Sequence, residues 1–375
     1  MSLKILYVCH APDTLGGAAL SLYDLIFSVK DNVEPFVLLQ YKGVVSDFFM
    51  KSGIKCLFFP FLGGIKPPSF VRRIGRKVYE ETLYKKKVTN FAHKLEEYNF
   101  DIIHSNSSAI TIGYELSCIL EIKHVWHVRE FLDLDFGFTP AYGWKKLKEA
   151  IALSSASIFI TQAVYEHFMK GETNNAFVLW DAVRSIGNKV VYPKEKFFIH
   201  TAANLSVNKG TNLAVKSFVS SLLWKDGYKL FLAGNISSKF KDELLSKLPE
   251  LSKQSIVFLG YVSELTELLS KASGFLMCSK NEGLGRVSIE AMFCGCPVIG
   301  FNSAGTKELL CQGHGYLVDS VEQCADVMKD INKTCSLERL EECQSFAQKS
   351  FSIDEYGKKI LSIYNNLKEG NNASI

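Results

Sequence analysis

The sequence predicts an α/β chain built as two halves, each a parallel β-sheet with helices on both faces. Three observations carry that expectation. Short apolar runs alternate with helical patterns along the first half. The alternation stops at a polar segment, residues 183–194, which contains Gly187 and Pro193, and then restarts. At 375 residues, the chain also exceeds a usual single core, so two domains are expected.

Taken in order, residues 4–9 read as a strand, followed by a loop with Gly16 and Gly17 and a helix over 18–29. Further strands are expected at 35–39, 54–59, 101–104, 123–127, 157–160 and 177–179, with helices between them, including 107–122 and 142–153. After the linker the pattern is strand 196–202, helix 209–223, strand 229–233, helix 239–248, strand 256–260 and helix 265–271. The apolar run 275–278 is the next strand, and a polar loop leads from it to Glu282. Gly283 and Gly285 let the backbone approach a ligand and open a helix to about Phe293. Gly295 and Pro297 stop it, and 298–301 is a strand. Beyond Val318 the chain is helical and polar; Ser352 and Glu355 make a capping box for a helix to about Leu367, and 371–375 is a tail.

Composition narrows the class. Hydrophobic content of 47% with 22% charged residues is ordinary for a soluble enzyme, and a net charge of +4 is too small to imply nucleic acid. The apolar run 5–9 is too short for a signal peptide, and nothing approaches the roughly 20 apolar residues of a membrane span. Ten cysteines without a CxxC pair fit reduced thiols in a cytosol. Cys294-Gly-Cys296 reads as small buried packing rather than a metal site.

Glu282 and Glu290 are the carboxylates of the glycine-rich unit. On one helix, eight residues would separate them by about 12 Å. Paired glycosidase carboxylates stand only about 5–9.5 Å apart, so hydrolysis by a facing pair is disfavoured. The span suits two ends of one extended ligand, with a helix N-terminus between them for a phosphate. The plainer alternative is two surface glutamates on an ordinary αβ unit.

The run Asn281-Glu-Gly-Leu-Gly-Arg-Val-Ser-Ile-Glu-Ala-Met292, with Cys294-Gly-Cys-Pro-Val-Ile299 and Gly305-Thr-Lys-Glu308, resembles the signature of glycosyltransferase family 4, the "group 1" enzymes of GT-B architecture. Weaker matches fall in the family's order along most of the chain: Lys4–His10 with Gly16-Gly17-Ala18, Asp101-Ile-Ile-His104, Trp126-His-Val-Arg-Glu130, Lys209-Gly210, Leu232-Ala-Gly234 and Phe258-Leu-Gly260. The resemblance implies two Rossmann-like domains facing a cleft: 1–182 for the acceptor, with the helix 352–367 packing back on it, and 183–351 for the donor. It also implies retaining transfer from a nucleotide-diphosphate sugar, without cofactor or metal, to a glycan or lipid-linked acceptor. Surface polysaccharide or glycolipid biosynthesis on the cytoplasmic side is the implied setting.

Carried over residue by residue, the resemblance puts Glu282 on the donor sugar, Glu290 on the ribose and Lys209 on the diphosphate. Backbone amides around Gly283, Leu284, Gly285, Arg286 and Val287, and those of Gly16 and Gly17, would touch phosphates and sugar from opposite sides. Leu259, Gly260, Tyr261 and Val262 would line the base. His127 would lie at the reacting sugar, with Arg129 and Glu130 on the acceptor side. The chain departs from the family at Ala203-Asn204, where Gly-Arg is usual. The missing Arg would have been a second phosphate cation, with Arg286 and Arg184 as possible substitutes. Asp181-Ala182 and Ala304-Gly305 replace Asn-Gly and Gly-Gly. Asn204 keeps open a non-catalytic GT-B partner or glycan-binding protein, and a nucleotide-sugar epimerase shares the architecture.

Three further motifs carry less. Asp133-Leu-Asp135 suggests a DxD metal pair, but it follows an Arg-Glu loop rather than a buried strand. Gly283-Leu-Gly285 begins a GxGxxG in which Ser288 stands at the third glycine. The segment 71–88 interleaves Arg72, Arg73, Arg76, Lys77 and Lys85–Lys87 with Val71, Ile74, Val78, Tyr79, Leu83 and Tyr84. As a helix it is basic and amphipathic: either an element lying on an anionic membrane surface or a solvated helix packing its apolar stripe on the N-terminal sheet.

Overall fold

The computed structural model describes residues 2–67, 69–169, 171, 173–184, 189–311 and 313–370. Gly187 of the expected linker and the expected tail 371–375 lie outside the described residues. The chain divides into two compact units, Met1–Ala182 with Ile353–Ile375, and Val183–Ser352.

In the first unit β1 (Leu3–Val8), β2 (Val33–Leu39), β3 (Lys55–Phe58), β4 (Ile102–Ser105), β5 (Lys123–Val128), β6 (Ala156–Phe159) and β7 (Ala176–Val178) form one sheet in the order β3-β2-β1-β4-β5-β6-β7. Every pairing is parallel. Alternate residues of a strand face opposite sides, so the sheet has two cores. Ile5, Tyr7, Val37 and Ile102 pack on one face with Leu22, Phe49, Ile360 and Tyr364. Leu6, Val8, Leu38 and Ile103 pack on the other with Tyr84, Val88 and Leu116. This two-sided burial is why the strands read as continuous apolar runs rather than as alternating ones. The last helix, Ile353–Lys368, joins the first core through Ile360, Ile363, Tyr364 and Leu367, a spacing that lays one helical face on the sheet.

The second unit repeats the plan with β8 (Glu195–Asn204), β9 (Lys229–Asn235), β10 (Ile256–Gly260), β11 (Ala272–Met277), β12 (Val298–Phe301) and β13 (Tyr316–Val318), in the order β10-β9-β8-β11-β12-β13. All its pairings are parallel. Phe198, Leu230, Leu232, Phe218, Leu276 and Ile299 are in its core. Strand order reverses between β1 and β4 in one unit and between β8 and β11 in the other. At such a reversal, loops leave the carboxyl ends of the two strands in opposite directions and open a crevice.

Two expected helices are corrected. Over 107–122 only Ile112–Leu120 is helical, because the Ser107 and Ser108 side chains bond a carboxylate instead of continuing a helix. The basic segment 71–88 is broken: the helix Phe70–Tyr79 passes through a π-helical turn, Glu80–Tyr84, into the helix Lys85–Leu95. A π turn bonds i to i+5 and so rotates the face that follows it. Tyr84 and Val88 are buried as a result, whereas Val71, Ile74, Val78 and Leu83 are 52–76% exposed. The apolar stripe therefore does not pack on the sheet over its first two turns. Among the described residues, no helix is long and apolar enough to cross a membrane.

Candidate active site

In the second unit, the loop leaving β8 and the loop leaving β11 flank the point of strand reversal. The first carries Lys209 and the second Glu282, and Lys209 Nζ lies 3.0 Å from Glu282 Oε2. Glycines with distinct tasks shape these loops. Gly210 has φ +72°, and a Cβ there would strike the Cys278 carbonyl, so the Lys209 loop lies flush on the end of β11. Gly305 donates its N–H to the Glu282 carbonyl at 3.0 Å, and a Cβ on it would strike the Gly283 carbonyl. Substituting alanine for the first glycine of the usual pair, at Ala304, leaves this close approach intact.

The helix Arg286–Phe293 starts from Gly285, at φ +81°. Arg286 Nε pairs with Glu290 Oε1 at 3.1 Å, one turn along the helix. Gly283, Leu284 and Gly285 are buried, and Arg286 and Val287 are half-buried. Both predicted carboxylates thus stand beside a cation, with the start of the helix between them. Asn204, at the end of β8, is exposed and pairs with Asn235 of β9 across a register shift. Gly260 and Tyr261 are exposed at the end of β10, next to half-buried Leu259 and Val262. They share the carboxyl edge of the sheet with Lys209 and Glu282, two strands from β8.

In the first unit, the segments after β4, β5 and β7 converge on a polar cluster. Glu130 Oε1 accepts bonds from Ser107 Oγ at 2.7 Å, Ser108 N at 2.7 Å and Ser108 Oγ at 2.5 Å. Arg129 donates from Nε to Asn106 Oδ1 at 2.9 Å and from Nη1 to Asp181, while Nη2 lies 3.1 Å from His127 Nδ1. Asp181 also accepts from the Tyr356 hydroxyl at 3.3 Å. His104 Nδ1 and the Tyr364 hydroxyl are 2.8 Å apart. The last helix therefore brings two hydroxyls to buried charged and aromatic groups of the sheet.

Two of the expected site residues are buried in this arrangement. His127 has no exposed surface, and its Nε2 faces Asp181 at 3.5 Å. Burial pushes its imidazole well below the usual range, and the Arg129 charge adds to the effect. The Arg129 guanidinium is engaged by Asn106, Asp181 and His127. Sequence reasoning missed Asn106, Ser107 and Ser108, although three polar residues directly after a buried strand were a visible signal. Gly16 and Gly17 follow β1, and a Cβ at either would meet nothing within 4 Å. Neither glycine is required by the packing of the chain itself.

Residues 184–352 match the family model described as glycosyl transferases group 1. They form a group 1 glycosyltransferase domain. The chain as a whole has the GT-B fold: it superposes on the crystal structure of Anabaena Alr3699/HepE with a TM-score of 0.77 at 21% identity, over 98% of this chain and 100% of that one. Among curated proteins, Bacillus subtilis YtcC is 24% identical over 302 residues, 73% of this chain and 74% of that one. The Methanocaldococcus jannaschii glycosyltransferase MJ1178 is 22% identical over 363 residues, 85% and 99% of the two chains. The group 1 domain holds the Lys209–Glu282 pair and the helix that begins at Gly285.

Proposed function

We propose that this protein is a retaining glycosyltransferase that moves a sugar from a nucleotide-diphosphate sugar to a hydroxyl of a glycan or lipid-linked acceptor. The observation that carries the reading is the pairing of Lys209 with Glu282 across the strand reversal, beside the start of the Arg286–Phe293 helix. The cation would take the diphosphate, and the helix amides would add to it. Glu282 would then accept from sugar hydroxyls, and Glu290 from the ribose. HepE has been solved with UDP, with UDP and glucose, and with UDP-glucose, which makes UDP-glucose the first donor to try.

In the proposed reaction, the acceptor oxygen attacks the anomeric carbon from the face the diphosphate leaves. The bond from that carbon to the phosphate oxygen breaks, and a bond to the acceptor oxygen forms. The acceptor proton passes to the departing phosphate, so no covalent enzyme intermediate is required. Lys209 and the helix amides favour the charge that develops on the leaving group. In the first unit, Glu130, fixed by Ser107 and Ser108, is the group assigned to orient the acceptor; His127 and Arg129 hold that cluster together from behind.

Titration calorimetry with UDP, GDP and ADP, followed by product analysis with the matching sugar donors, tests the reading. Binding of one nucleotide diphosphate and transfer with retained anomeric configuration are expected. Absence of binding to all three would favour a non-catalytic partner, and an inverted product would remove the front-face mechanism.

A further inference from the structure

A cavity of about 890 Å³ opens on the first unit, walled by the helix Phe70–Tyr79, the π turn Glu80–Tyr84 and the helices Lys85–Leu95 and Ile112–Leu120. Six cations line it: Lys66, Arg73, Arg76, Lys77, Lys85 and Lys146. Among the described residues, two carboxylates, Glu80 and Glu115, face them. Burial raises the Glu115 carboxyl above the ordinary range, which shifts the balance further towards positive.

Arg76 is held in place within this wall. Its Nε donates to Glu80 Oε1 at 2.6 Å and its Nη1 to the Ile65 carbonyl at 2.8 Å. Its Nη2 is shut off from solvent with no well-formed hydrogen bond among the described residues, and the Tyr142 hydroxyl lies near the same guanidinium. A planar guanidinium fixed by two bonds, with a desolvated donor left over, is suited to a phosphate oxygen.

A recess of about 200 Å³ adjoins the cavity, with Tyr114, Glu115, Tyr142 and Lys146 lining both. The far walls of the recess are apolar: Trp126, Pro140, Leu147 and Ala150. Trp126 is fixed by its Nε1 donating to the Ser107 carbonyl at 2.9 Å, so the recess lies directly behind the loop that holds Glu130. One end of the space is cationic and the other is apolar. Beside it, Val71, Ile74 and Val78 present an exposed apolar face on the same helix as Arg73, Arg76 and Lys77.

We propose that this cavity binds the phosphate-bearing headgroup of a single-chain lipid, with the phosphate at Arg76 and the surrounding lysines and the start of the chain in the Trp126 recess. Charge complementarity selects an anion, and the apolar recess selects an anion that carries a chain. The site uses no residue of the donor pair, so it stands or falls independently of sugar transfer.

The test is calorimetry on the full chain with dodecyl phosphate below its micellar concentration. One site is expected, at least tenfold tighter than for inorganic phosphate, dodecyl maltoside or dodecyltrimethylammonium. Arg76→Gln and, on the rim, Lys146→Glu should each weaken it at least tenfold. Ala150→Trp, which fills the recess, should remove the advantage over inorganic phosphate. Val71→Ser/Ile74→Ser/Val78→Ser should leave it unchanged, and UDP affinity should be constant in all four variants as the check on folding. Equal binding of inorganic phosphate or of the cationic amphiphile, or indifference to the Arg76, Lys146 and Ala150 variants, would overturn the proposal. Dodecyl phosphate binding without any nucleotide binding would uphold this site and count against the transferase reading instead.

Discussion

Lys209 Nζ stands 3.0 Å from Glu282 Oε2, which ties the loop after β8 to the loop after β11. Their side chains are 29% and 20% exposed, so the pair contributes less than about 1 kcal/mol to folding. Its importance lies in what each partner does with a ligand. On the proposed reading, a diphosphate would compete with Glu282 for the ammonium. Lys209→Ala should therefore weaken UDP binding by about 10- to 150-fold, the equivalent of one charged hydrogen bond of about 1.5–3 kcal/mol. Glu282→Gln frees the ammonium, so UDP should bind as well or better while transfer falls at least about a hundredfold. Calorimetry beside initial rates reads both. If the two variants lose UDP alike, the carboxylate is not a sugar group.

The Arg129–Asp181 pair differs in kind, because both side chains are under 10% exposed. Removing the carboxylate leaves a buried guanidinium without its counter-ion, at a cost of about 3–5 kcal/mol. Asp181→Ala should show this loss in urea unfolding. Tyr356→Phe removes one hydroxyl bond to Asp181 and should cost about 1 kcal/mol. A near-neutral Asp181→Ala would mean that the cluster is hydrated rather than closed.

What the sequence made legible, and what it hid, follows from the range of each interaction. The glycine-rich unit was readable because Glu282, Gly285 and Glu290 belong to one local strand-loop-helix segment. The two parallel sheets were readable because strands buried on both faces cannot conceal their apolar runs. Asp181 was visible only as a departure from Asn-Gly; its partner Arg129 lies 52 residues away in sequence, and its partner Tyr356 lies 175 residues away. No local pattern reports such a pairing, and it holds two expected site residues, His127 and Arg129, among buried groups. The basic segment failed differently. Its composition was read correctly, but the π turn at Glu80–Tyr84 divides one expected face into a buried half and an exposed half.

Acid should unfold this protein early. Burial lowers the His124 imidazole to about 3 and that of His200 to about 4, and it holds His104 and His127 well below the usual range. In the unfolded chain these groups titrate near 6.5. Below that pH the unfolded state takes up protons that the folded state does not. Stability is therefore full above about pH 6.5 and declines as pH falls towards the folded values, by up to about 1.4 kcal/mol per pH unit for each histidine. Urea midpoints at pH 7.5, 6.5, 5.5 and 5.0 should drop progressively from the second point onward. A flat profile down to pH 5 would show that these imidazoles are charged in the fold.

The exposed face Val71, Ile74 and Val78 sits among Arg72, Arg73 and Lys77, the arrangement of a helix that lies in a lipid interface. Binding to vesicles with anionic lipid is expected, together with release as salt rises. Val71→Ser/Ile74→Ser/Val78→Ser should abolish flotation with such vesicles with little effect on thermal stability, since all three residues are more than half exposed. Flotation that survives this triple change and the loss of the basic residues of 71–88 would remove the membrane reading.

Gly16 and Gly305 should respond to the same substitution in opposite ways. A Cβ at Gly305 would strike the Gly283 carbonyl and approach the Glu282 carbonyl at 2.9 Å, so Gly305→Ala must displace the loop that carries Glu282. Both stability and UDP affinity should fall, because the obstruction is backbone and cannot rotate away. A Cβ at Gly16 meets nothing within 4 Å, and its φ of −97° is open to any residue. Gly16→Ala should therefore leave urea unfolding unchanged or slightly improved, the unfolded chain having lost some freedom. If a ligand approaches the backbone after β1, the same variant should raise the KM for the donor several-fold with the fold intact. Unchanged kinetics in Gly16→Ala would show that the glycine-rich loop after β1 is not part of the reaction site.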